Sequence, residues 1–176
     1  MQQRTFKEEI LYQWNYGGMH IRLIGVNLAV FVFIGTILML GRLFFGQNAY
    51  LITNIIESIF MLRGDISGLL FRPWGLFTSI FAHFDFFHFV FNMVFLCFAS
   101  QLFLRYFSSS RLLYTYVLGG VLGGLFQIVA YSIFPELKNT LTYVVGASGS
   151  VMAIFMAAAF FRPMEEVFFF WLLRIK

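Results

Sequence analysis

The sequence has little charge and almost no cysteine. Asp, Glu, Lys and Arg make up only 11% of its 176 residues. Soluble domains carry about a quarter, so a water-soluble fold is a poor reading. The single cysteine, Cys97, rules out an intrachain disulfide, and its place inside an apolar segment reads as a small buried hydrophobe. No acidic residue falls within any of the long apolar runs. That argues against a transporter or channel, which would want charged groups or broken helices near the middle of the membrane. The net charge is +4, but the basic residues sit at the ends of apolar runs rather than on one polar stripe, so no nucleic-acid partner is expected. A cleavable signal peptide is missing too. Arg4, Lys7, Glu8, Glu9 and Arg22 precede an apolar run that is too long for a signal and has no small-residue cleavage site, so it reads as an anchor that stays in the membrane.

What the chain does have is apolar bulk: 60% hydrophobic residues, including 26 Phe. A lipid-facing surface absorbs that excess, because it need not be polar. Charges punctuate the sequence and leave four uncharged runs, at 23–41, 86–104, 112–134 and 139–161. Each is close to the ~20 apolar residues that a bilayer-spanning helix needs. Lipid offers the backbone no hydrogen-bond partner, so the spans must be helical, and the runs lack the alternation of a β-barrel. The expected fold is an all-α polytopic transmembrane bundle. Residues 1–22 form a cytoplasmic N-terminal segment and 23–176 the membrane domain. With the N-terminus inside, Arg4, Lys7, Arg22, Arg105, Arg111, Arg162, Arg174 and Lys176 share the cytoplasmic side, as the positive-inside rule prefers. The protein is therefore expected in the cell (inner) membrane.

Two regions depart from simple spans. Residues 44–84 are apolar in patches but interrupted by Glu57, Arg63, Asp65, Arg72 and Pro73, which predicts an interfacial first loop with short amphipathic helices. The tail at 167–173 is too short to span and reads as a membrane-surface segment. Within the third run, Gly119, Gly120, Gly123 and Gly124 form overlapping GxxxG patterns, expected to bring helices close.

Polar groups inside a membrane are costly and call for a reason. His88 and Asn92 lie four apart, one turn above the other on a helix face, and both can donate hydrogen bonds. Such a pair could stabilise an oxyanion, or it could only tie helices together. A metal site would need a third ligand, and His83, five residues before His88, falls on another face. Ser148, in Gly146-Ala147-Ser148-Gly149, has small neighbours that leave its hydroxyl accessible, though a serine at a helix start also caps.

Together these motifs resemble the rhomboid family of intramembrane serine proteases. The likeness rests on Arg72-Pro73-Trp74-Gly75-Leu76-Phe77-Thr78-Ser79, on His83 to Asn92, and on Gly146 to Gly149, in that order along the chain. The resemblance implies that Ser148 is the nucleophile and that His88, Asn92 and the Ser148 backbone N–H line the oxyanion hole. It makes Gly146 and Gly149 the motif's glycines and Trp74 the first-loop tryptophan. Where that loop motif carries Arg, this chain has Gly75, and where many members carry a Tyr after the serine it has Met152. The resemblance implies transmembrane protein substrates and no metal or organic cofactor. It also places the general base on a histidine of a sixth span, whereas the three histidines here, His20, His83 and His88, all precede Ser148. The chain is accordingly expected to be a piece lacking the fifth and sixth spans and inactive alone. The alternative is an inactive relative that binds membrane-protein clients.

Overall fold

The computed structural model describes residues 5–134, 143–163, 167–169 and 173–175. A short helix, α1 (Phe6–Tyr16), starts with a reciprocal cap in which Thr5 and Glu8 satisfy each other's backbone N–H. Its C-terminal carbonyls are met by Arg22, whose guanidinium donates to the Trp14 and Asn15 oxygens at 3.0 and 3.2 Å. The Trp14 ring lies over Gly25, so α1 folds back against the first spanning helix, α2 (Gly18–Phe45). That helix overruns the expected 23–41 at both ends. Hydropathy marks only the hydrocarbon depth, while backbone hydrogen bonding carries the helix into the headgroup layer.

The first loop is built as expected from short helices. After a 3-10 turn at Gly46–Asn48 comes α3 (Ala49–Phe60). It buries Ile56 with Ile34 and Ala82 and leaves Tyr50, Leu51, Ile55 and Ile59 exposed. Two small helices follow, α4 (Ile66–Phe71) and α5 (Gly75–Thr78). The Asp65 carboxylate caps α4 by accepting the Gly68 N–H at 3.1 Å and pairs with the Arg63 guanidinium at 2.9 Å. These contacts, and an acceptor bond from the Ser67 hydroxyl above all, hold its carboxyl below the usual carboxylate range.

The bundle proper consists of α6 (Phe86–Phe103), α7 (Ser109–Ile133) and α8 (Ser148–Phe161), with α8 packed against both α6 and α7. Asp85 and Ser108 cap α6 and α7. Leu96, Ala99, Leu112, Tyr116, Val151 and Ile154, all essentially inaccessible, form the core where the three helices and α2 meet. Gly149 sits on the glycine stripe of α7: a Cβ added there would lie within 4 Å of Gly119, Gly120 and Gly123 backbone atoms. The close helix approach expected of those glycines is thus present.

The all-α polytopic architecture holds, with one correction to the spans. Three helices among the described residues are long and apolar enough to cross a bilayer, the first of them running without a long break from α2 into α3. The run expected at 139–161 contributes a shorter helix that starts only at Ser148. Residues 139–142 lie outside the described residues. At Tyr143–Val144 the chain is extended, as a short strand, β2, paired antiparallel with β1 (Leu62–Arg63) of the first loop. Gly146 then turns at φ +111°, which an L side chain rarely adopts. Hydropathy could not reveal this entry, because an apolar residue scores alike in strand and helix. The 14 residues of α8 span about 21 Å at 1.5 Å each, against a hydrocarbon core of about 30 Å. In the tail, Val167–Phe169 (β3) and Leu173–Ile175 (β4) pair as antiparallel strands; 170–172, within the segment read as surface-lying, fall outside the described residues.

Candidate functional site

The N-terminus of α8 faces the first turns of α6, and between them lies a pocket of about 180 Å³. His88, Phe91, Asn92, Phe95, Ser148, Val151 and Met152 line it. The three polar side chains singled out from the sequence therefore share one cavity, although Ser148 is far from the other two along the chain. Ser148 is exposed, His88 half-buried and Asn92 buried. Asp85 fixes the start of α6 by accepting the His88 N–H at 2.7 Å. One turn on, the Asn92 amide donates to the His88 carbonyl at 2.9 Å. An Asn amide has two N–H groups, so one remains for another acceptor. The first N–H groups of α8 have no partner within their own helix, and a helix N-terminus favours negative charge. The pocket thus gathers a hydroxyl, an amide, an imidazole and a helix end around one space, an arrangement able to receive an oxyanion.

Gly146 is required twice over. Besides its positive φ, a side chain there would strike the His88 ring, coming within 2.6 Å of Cε1 and 2.8 Å of Nε2. The imidazole is thus packed against bare backbone two residues before Ser148. Gly149 faces away, onto α7. Trp74 does not line the pocket. It precedes α5, 47% exposed, and its carbonyl accepts the Phe77 and Thr78 N–H groups. Met152 supplies part of the pocket wall.

Sequence reasoning missed the residues that hold the turn before Ser148. The Ser79 carbonyl accepts the Gly146 N–H at 2.9 Å, and His83 Nε2 accepts the Ala147 N–H at 3.3 Å. The neighbouring Ile80 carbonyl accepts from the Tyr116 hydroxyl at 2.9 Å. The Tyr116 oxygen in turn accepts from the Asn27 amide of α2 at 2.9 Å. A histidine spaced wrongly for metal and an asparagine in the first span were the available signals. Their partners lie too far along the sequence to be read from it.

Fold and pocket together define an integral membrane helix bundle with an accessible serine at a helix start beside a histidine–asparagine pair. The family model for the rhomboid domain matches residues 70–175, more than half of the chain, and the chain belongs to the rhomboid family. Neither the curated proteins nor the solved structures contain a match to it.

Proposed function

We propose that the protein is an intramembrane serine protease that hydrolyses peptide bonds of transmembrane substrates, with Ser148 as nucleophile. The observation that carries this reading is the shared pocket of Ser148, His88 and Asn92, in a chain of the rhomboid family. Ser148 Oγ attacks the carbonyl carbon of the scissile bond. The carbonyl oxygen becomes an oxyanion, held by the Asn92 amide, the His88 ring and the Ser148 N–H. Loss of one such donor costs about 2.7–4 kcal/mol of transition-state stabilisation. The hydroxyl proton passes to a base and then to the departing amine; the resemblance gives the base's task to a histidine on a later span. Phe91, Phe95, Val151 and Met152 supply an apolar wall against which substrate side chains can rest.

Residues 1–22 are assigned to the cytoplasm and 23–176 to the membrane domain, in the cell (inner) membrane, which puts Ser148 toward the extracytoplasmic side. Labelling with a fluorophosphonate in the native membrane, followed by mass spectrometry of the adduct, tests the assignment. An adduct on Ser148 that disappears in Ser148→Ala supports it. A protein that stays unlabelled while its pocket is intact points instead to a relative that binds membrane-protein clients without cutting them.

A further inference from the structure

We propose that His83 is a positioning residue for Ser148: a neutral imidazole whose Nε2 accepts the Ala147 amide hydrogen and so fixes the turn from which the serine is presented to His88 and Asn92. The consequence for Ser148 rests on the protease reading above; the acceptor contact itself does not.

The turn preceding α8 is an exposed-to-buried crossing with awkward backbone. Gly146 takes a positive φ, and Ala147 is completely buried, so its N–H must find a partner inside the protein. Among the described residues no carbonyl provides it; the His83 ring does. The segment that carries His83 is itself anchored. Ser79 and His83, four residues apart, hold the consecutive amides of Gly146 and Ala147. Between them the Ile80 carbonyl is gripped by Tyr116, which is fully buried and bonded to Asn27. A strap of backbone, fastened to α2 and α7, thus templates the serine-bearing turn.

His83 is suited to accept rather than donate at Nε2. It is 0% exposed, with the His88 ring edge-on at 5.2 Å and Phe89 at 5.5 Å. Burial, and then the charge that His88 can carry, push its pKa down to about 4, with the Phe81 backbone carbonyl opposing. An imidazole accepts only through an unprotonated nitrogen, and a bond accepted at Nε2 leaves the proton on Nδ1. The same ring touches His88, which rests on Gly146, so one side chain sets both the turn and the backing of the pocket's imidazole.

A histidine that merely filled space would be replaced by a ring of similar size. A positioning acceptor would be replaced by Gln, whose side-chain oxygen can stand near Nε2. The test compares wild type, His83→Gln and His83→Phe in lipid bilayers. Expected results are a His83 Nε2 resonance of the unprotonated, hydrogen-bonded form at neutral pH in the wild type, and an Ala147 amide protected from deuterium exchange in wild type and His83→Gln. Exchange at Ala147 should rise about tenfold in His83→Phe, as expected for loss of one hydrogen bond. A protonated Nε2, or full protection in His83→Phe, overturns the proposal, and the nitrogen resonance decides it even if the Phe variant does not fold. Fluorophosphonate labelling separates the two readings. In the native membrane, absence of a Ser148 adduct in the wild type defeats the protease reading and leaves the amide result standing. Equal labelling rates in wild type and His83→Phe defeat the positioning role.

Discussion

Helix α8 meets α7 on one side and α6 on the other, and the two contacts differ in kind. Toward α7, Gly149 lies on Gly119, Gly120 and Gly123, and a side chain at Gly119 would collide with Ala153. The backbones approach closely there, and the hydroxyl on that side, Ser150, is fully buried against Gly120. Toward α6, the same helix leaves a cavity lined by His88, Asn92 and Ser148. Lipid gives helices no hydrophobic reason to associate, so close packing through small residues must do it. One face therefore secures α8 and lets the other remain open around groups that a tightly packed interface would bury. Stability and chemistry are divided between two sides of one helix.

Substitutions on the two sides should accordingly fail differently. The largest effect is expected at Asn92→Ala, which should slow Ser148 phosphonylation by about 10²–10³-fold while shifting the unfolding midpoint little. A comparable loss of fold stability would mean that Asn92 only ties helices together. Next comes Gly119→Val on the opposite side. Forced into Ala153, it should cost about 1–3 kcal/mol through overpacking, read from unfolding in mixed micelles. An unchanged midpoint would show that the glycine contact is looser than described.

A smaller effect should appear on acidification. The folded pKa of His83 lies near 4, below its ordinary 6.5. Between those values the unfolded chain binds more protons than the folded one, so stability rises with pH there and falls as pH drops from about 6.5 toward 4. The informative quantity is the difference from His83→Gln, which should lose less on acidification than the wild type. Equal losses would contradict a neutral buried His83. The smallest effect, about 1 kcal/mol from loss of a helix cap, is expected for Asp65→Ala in the first loop, remote from both faces of α8. It should leave Ser148 labelling unchanged, and altered labelling would connect that loop to the pocket.

Much of the fold was legible in the sequence because membrane spans announce themselves by charge spacing. Asp85 and Arg105 bracket α6, Arg111 falls in the first turn of α7, and Arg22 and Arg42 lie just inside the two ends of α2. The glycine spacing of the third run led to a true close contact. The start of α8 was misread because 143–147 are as apolar as a helix yet are used as a strand and a turn, imposed by pairing with Leu62–Arg63. At the pocket, His88, Asn92 and Ser148 stood out because each is polar where lipid discourages it. His83, Ser79 and Tyr116 did not, because each of these contacts is made to or by a backbone group, which carries no residue signature.

The most direct test asks whether position 148 is at once sunk and wet. A spin label on Ser148→Cys, in a Cys97→Ala background, can be relaxed by a water-soluble agent and by dissolved oxygen in bilayers. The expected result is strong relaxation by the water-soluble agent at a depth several ångströms below the headgroups. Relaxation by oxygen alone would place the side chain in lipid, and a label above the headgroups would place it outside the membrane. Either result would contradict a serine poised in a pocket beside His88 and Asn92.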